Sequence, residues 1–202
     1  MTSSQNRQRL LELARSREIF SASDAAAAGV HSAWLSRAVA EGTIERVARG
    51  RYRLAGREAT EHHTLALVAS RAPAAVVCLL SALQFHRIGT QTPVEVWIAV
   101  ERRAARPRMS YPPLRIARFS GAAFTAGIED HVIEGQEVRV YTLAKTIADC
   151  FKYRNRIGLD VALEALSDAW QQRRLSLADL NVYARIDRVQ NVMQPYIEAV
   201  IQ

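Results

Sequence analysis

Apolar positions recur at helical spacing over residues 5–16, where Leu10, Leu11, Leu13 and Ala14 make one side of a predicted helix. Ile19 and Phe20 then suit a short strand. Ser21 and Asp24 stand three apart, the spacing of a capping box, and Ala25 to Ala28 favour helix because alanine loses no side-chain entropy. Gly29 suits the left-handed residue that ends this helix, and Val30 a turn residue packed inward. Ser32 is placed to cap a second helix, Ala33–Glu41, which Gly42 stops. Leu35, Ala38 and Val39 fall on its inner face. His31, Ser32, Trp34, Ser36 and Arg37 are left on or near the outer side.

Two short strands follow, Thr43–Val47 and Arg51–Leu54, around Ala48-Arg49-Gly50. Gly50 provides the positive φ of a tight hairpin. Tyr52 and Leu54 alternate with Arg51 and Arg53, which predicts one apolar and one cationic face. Arg46, Arg49, Arg51 and Arg53 therefore gather on one ribbon beside the second helix. A helix–turn–helix followed by an arginine-tipped hairpin is the outline of a winged helix that binds DNA. In that reading Arg37 donates two hydrogen bonds to a guanine, and Ser32 or Ser36 holds a phosphate or base edge. Trp34 stacks, touches a thymine methyl or packs on the wing. The ribbon arginines meet phosphates or enter the minor groove. The plainer alternative is a small helical core with a solvated face and a charged edge that deters strand pairing.

The second half begins with a predicted helix, Glu61–Arg71, broken at Pro73. Ala75–Leu80 fits either a strand or the start of the helix Ser81–His86, which Gly89 ends. Val94–Val100 and Leu114–Phe119 are strands, separated by an arginine- and proline-rich loop. Residues 121–127 look irregular. Asp130–Ile133 and Gln136–Tyr141 form a hairpin turning at Glu134-Gly135. Thr142 caps a helix to about Lys152, and helices at Leu159–Arg173, Ser176–Arg185 and Asp187–Ile201 complete the chain. Strands followed by helices predict an α+β fold. It comprises an N-terminal winged helix-turn-helix over 1–55, a polar linker at Ala55–Thr60, and a larger α/β domain over 60–202 with a small mixed sheet and C-terminal helices.

Composition narrows the partners. With 202 residues, 49% of them apolar, the chain can build one large or two small cores. Its formal net charge is +7, which favours an anionic partner, nucleic acid before a membrane surface. Lys145 and Lys152 are the only lysines, so the clustering of arginines says more than their number. Two clusters lie outside the first domain. One is Arg102, Arg103, Arg106, Arg108, Arg115 and Arg118; the other is Lys152, Arg154 and Arg156 in a short loop. Each is a candidate second surface for DNA or for an acidic partner. Cys78 and Cys150 sit in apolar contexts as reduced, buried thiols. No apolar run spans a bilayer and the first residues lack a signal-peptide core, so a soluble cytoplasmic protein is expected.

Catalytic motifs are missing from the sequence. There is no glycine-rich phosphate loop, nucleophile elbow, HExxH or zinc-spaced Cys/His set, so neither catalytic residues nor metal nor cofactor is assigned. Thr146 and Asp149 lie one helical turn apart, and Asp149 can pair with Lys145 or Lys152 in a network that fixes the fold.

Several stretches resemble one known family. Leu35-Ser36-Arg37, Glu41-Gly42-Thr43-Ile44 and Arg49-Gly50-Arg51-Tyr52 look like the N-terminal winged helix of the AbiEi antitoxins of type IV toxin–antitoxin systems. Leu79–His86 and Val140–Phe151 look like stretches of the C-terminal domain of that family. The resemblance implies a transcriptional regulator that binds double-stranded DNA at inverted repeats and represses its own operon. It also implies an antitoxin that counters a nucleotidyltransferase-like toxin functionally rather than by a stable complex. Such a protein is a monomer in solution or pairs on DNA. Two other readings compete with it: a protein-interaction module with a degenerate winged helix, and a metal-dependent DNA-processing enzyme built on the second domain around a carboxylate such as Glu95 or Asp149.

Overall fold

The computed structural model describes residues 3–17, 19–56 and 60–201. Residues 57–59, half of the expected linker, therefore fall outside the described residues. The chain mixes helix and sheet and divides into two compact units.

The first unit comprises residues up to 73 together with 131–138. Its elements run α1 (Ser3–Ser16), β1 (Phe20–Ser21), α2 (Ala22–Ala27), α3 (Ser32–Ala40), β2 (Ile44–Ala48), β3 (Arg51–Leu54) and α4 (His63–Arg71). The capping box forms as the spacing predicts. The Asp24 amide donates to Ser21 Oγ at 3.0 Å, and the Ser21 amide donates to Asp24 Oδ2 at 2.7 Å. The cap of α3 differs from expectation: Ser32 is already helical, and His31, in extended conformation, precedes it without a side-chain cap. The three strands form an antiparallel sheet in the order β1-β3-β2. Leu10, Phe20, Val30, Leu35 and Ile44 are buried together beneath it, with Trp34, Tyr52 and Leu54 packed at the edge of that core. Phe20 stacks on Tyr52 with ring centroids 5.9 Å apart.

The second unit comprises 74–130 and 139–202. It contains β4 (Val76–Val77), α5 (Leu79–His86), β5 (Val96–Glu101), β6 (Leu114–Phe119), α6 (Ala122–Thr125), β7 (Ile128–Ile133), β8 (Gln136–Tyr141), α7 (Leu143–Lys152), α8 (Arg154–Ile157), α9 (Leu159–Gln171), α10 (Leu177–Ile186) and α11 (Gln190–Ile201). The tip of the β7–β8 hairpin is the 131–138 segment of the first unit. The sheet order is β6-β5-β4-β8-β7, with β4 antiparallel to β5 and parallel to β8, and β5 parallel to β6. Four expectations are refined or changed here. The stretch 75–80 holds both a two-residue strand and the start of a helix, and Arg87, in the left-handed region, closes that helix before Gly89. Residues 122–125 make a helical turn rather than an irregular loop, and the basic segment after Lys152 is the one-turn helix α8. Elements this short carry too few residues to show a periodicity.

Helix α7 is the centre of the second unit. Residues 144–151 are all buried, and the helix packs against α5, α9 and α10. Gly127, at φ +70°, permits this approach: a Cβ there would stand 2.9 Å from Lys145 Cβ and from the Tyr183 ring.

One buried carboxylate anchors the hairpin tip within the first unit. Glu134 accepts from the Thr60 amide (3.0 Å), the Thr60 hydroxyl (2.8 Å) and His63 Nδ1 (2.7 Å). Burial raises its pKa, but these donors outweigh burial and hold it below the ordinary glutamate value. A depressed folded-state pKa adds stability above the unfolded value of about 4.3, and this is lost as pH falls through the folded value. Glu134→Gln should therefore lower the urea-unfolding free energy at pH 7 by about 1–3 kcal/mol and flatten its decline in acid. An unchanged acid limb would show that Glu134 does not carry it.

Candidate nucleic-acid interface

Helix α3 presents a polar outer face because its inner positions are spent on the core. Leu35 and Ala38 are buried, whereas Ser32, Ser36 and Arg37 are exposed and Trp34 is half-buried. Trp34 resolves its own alternatives in the unbound protein: part of the indole packs on the core, and the Arg37 guanidinium lies 5.1 Å from its ring centroid. Arg37 Nε also donates to Glu41 at 2.8 Å, one turn on. An exposed pair of this kind is worth about 0.3–0.5 kcal/mol. Arg37 can therefore leave Glu41 for a stronger acceptor at little cost. Ser36 Oγ rests 3.4 Å from the Ser32 carbonyl, a weak contact that a ligand can replace.

The hairpin register sorts the four ribbon arginines. Arg53 faces Glu45 across the strands and forms an ion pair with it. Arg51 reaches α4, where Nε donates to Ser70 Oγ at 3.0 Å and Nη2 to the Ser70 carbonyl. Burial, then the nearby Arg71, lowers the Arg51 pKa from its ordinary value. Arg46 lies opposite Tyr52 on the outer strand β2, and Arg49 is at the turn beside Gly50, whose φ is +70°. Both are exposed, and neither has an ion-pair or hydrogen-bond partner among the described residues. The ribbon thus has two arginines built into the fold and two available to a ligand. Sequence spacing gathers all four but cannot separate them, since Ser70 lies nineteen residues from Arg51. Glu45, which neutralises Arg53, was not singled out by any motif.

The second-surface candidates disperse in part. Arg102 and Arg118 line one cleft with Lys152 and Arg156, while Arg106 lines another with Arg115, which stands 3.7 Å from Glu95. Arg103 and Arg108 are simply exposed. Arg154, the first residue of α8, turns back on the end of α7, donating to the Phe151 carbonyl at 2.9 Å. Asp149 pairs with Lys145, as their spacing suggests, and both are fully buried. Sequence reading missed the third member, Asp187, whose carboxylate lies 3.2 Å from Lys145 and 3.1 Å from Lys152. Among the described residues no group of three His, Cys, Asp or Glu side chains could hold a metal ion. None of the described helices is long and apolar enough to cross a membrane.

Comparison with known proteins bears on the first unit. No curated protein matches the chain. The crystal structure of the RV2827C protein from Mycobacterium tuberculosis shares its fold, with a TM-score of 0.65 at 12% identity, covering 99% of this chain and 78% of that one. Residues 8–55 match the model of a family described as transcriptional regulator, AbiEi antitoxin. That stretch contains α3 and the whole β2–β3 ribbon. Over residues 8–55, then, the sequence is similar to that of a family of transcriptional regulators described as AbiEi antitoxins.

Proposed function

We propose that the protein is a sequence-specific DNA-binding repressor of its own operon and the antitoxin of a type IV system. The observation that carries this reading is the pairing, within one small unit, of the exposed α3 face with the unengaged Arg46 and Arg49 of the adjoining ribbon. In this reading residues 1–55 are a winged helix. Helix α3 enters the major groove, with Ser32, Ser36 and Arg37 at base edges or phosphates and Trp34 supporting Arg37. The ribbon follows the backbone through Arg46 and Arg49, while Arg51 and Arg53 hold its shape. Inverted repeats are the fitting sites, bound by two copies, because twofold-related half-sites match paired protomers. The domain from residue 60 onward supplies antitoxicity against a nucleotidyltransferase-like toxin without a stable complex.

Fluorescence anisotropy tests the DNA reading. The duplex upstream of the gene and a scrambled duplex are titrated at two salt concentrations. Preference for the upstream sequence, by about a thousandfold at physiological salt, is expected of a specific regulator. Equal, salt-labile binding to both would sink the repressor reading and favour a protein-interaction module. The antitoxin reading is tested by co-expression with the product of a neighbouring nucleotidyltransferase-like gene, where rescue of growth is expected.

A further inference from the structure

In the second unit, a cleft of about 640 Å³ gathers cations from three separated stretches of chain. Arg102 follows β5, Arg118 and Ser120 flank Phe119, the last residue of β6, and Lys152, Asn155 and Arg156 come from the α7–α8 corner. Two of the charges are held in place. Arg118 Nη1 donates to the carbonyls of Glu101 (3.1 Å), Arg102 (3.2 Å) and Ala104, and the Arg118 carbonyl accepts from the Tyr153 hydroxyl at 3.0 Å. Lys152 is braced from behind by the buried Asp187 carboxylate, 3.1 Å away. Aromatic rings form the wall: Phe119 and Tyr153 have centroids 5.3 Å apart, with the Lys152 ammonium 5.8 Å from one and the Arg156 guanidinium 5.9 Å from the other. Among the described residues no carboxylate lines the cleft.

We propose that this cleft binds a small molecule bearing two or more linked phosphates. Three guanidinium groups line the cleft beside an ammonium that shares its charge with Asp187, and a polyanion offsets the repulsion among them. Arginine forks and neutral Ser120 and Asn155 donors match phosphate oxygens. The volume lies within the ~300–1,000 Å³ of small-ligand sites. Duplex DNA, in contrast, meets cations spread along a path rather than converging in a recess. The site does not depend on the DNA reading of the first unit.

The test is calorimetric titration of the full chain with pyrophosphate and with inorganic phosphate, in buffer free of other polyanions. Saturable one-to-one binding of pyrophosphate is expected, at least tenfold tighter than phosphate. Arg102→Ala/Arg156→Ala removes two exposed side chains and should weaken it tenfold or more. Arg7→Ala/Arg185→Ala, an equal charge change at exposed positions elsewhere, should not. A thermal melt of each variant confirms folding. Absence of saturable pyrophosphate binding, equal affinity for phosphate, or an equal loss in the second double variant overturns the proposal. If pyrophosphate fails to bind while Arg102→Ala/Arg156→Ala weakens duplex binding, the cations belong to a DNA footprint and the small-molecule site is rejected.

Discussion

Lys145→Met lowers the thermal midpoint of the second unit by roughly 10 °C or more, the signature of a loss of about 3–5 kcal/mol. Lys145 is wholly buried between Asp149 and Asp187, also wholly buried, and its ammonium lies 4.7 Å from the Tyr141 ring centroid and 4.9 Å from that of Phe119. Methionine conserves most of the volume and removes only the cation. Asp187 keeps Lys152, but Asp149 loses its partner and faces another acid. Burial already pushes the Asp149 carboxyl well above the usual carboxylate range, and Asp187 adds to this, while Lys145 opposes both. Removing Lys145 raises it further. A carboxyl whose pKa is higher folded than unfolded holds its proton more tightly in the folded state, so stability falls as pH rises. The deficit of the variant should therefore grow between pH 5 and pH 8, as read from urea unfolding at each pH. A deficit independent of pH would assign the loss to packing instead. Lys145→Met/Asp149→Leu removes both charges, leaves Asp187 on Lys152, and should recover much of the stability, because an apolar replacement of a buried pair is often neutral.

On the proposed DNA reading, Arg46→Ala/Arg49→Ala is expected to weaken binding to the upstream duplex by about 30-fold or more, read by fluorescence anisotropy, while leaving the fold intact. Each arginine is exposed without a partner among the described residues, so truncation breaks no contact described in the free protein. A hydrogen bond to a charged group is worth about 1.5–3 kcal/mol, and 1.4 kcal/mol is a factor of ten, so even partial loss at two sites reaches that figure. Two lost phosphate contacts also flatten the dependence of log affinity on log salt by about 1.8. Arg53→Ala is the contrast. It strands Glu45, changes stability first, and should leave the salt slope near that of the wild type. An unchanged slope in the Arg46/Arg49 variant would remove the ribbon from the DNA interface.

Local features were the legible ones. The Ser21–Asp24 box, the cap of α7 by Thr142 and the turn at Glu134-Gly135 depend on residues a few positions apart, and spacing displays them. The Lys145–Asp149 pair was legible for the same reason, being one helical turn. Asp187 was not, because forty-two residues separate it from Lys145 and no periodicity marks it. The cleft was half legible: its arginines stood out as clusters, but their division between two clefts and open solvent depends on the parallel pairing of β5 with β6.

By itself the sequence determined the kinds and order of the longer elements, the apolar faces that drive them together, and the basic ribbon after the second helix of the turn. These follow from propensity, periodicity and capping, which act over one or two turns of chain. Only the tertiary structure decided which charges remain available. Arg51 and Arg53 are taken up by Ser70 and Glu45, Lys145 is enclosed between two acids, and Arg46 and Arg49 are left exposed. An arginine or lysine reads the same in a sequence whether it faces a carboxylate or water. Its partner is chosen by strand register and helix packing, which bring distant residues within hydrogen-bond reach.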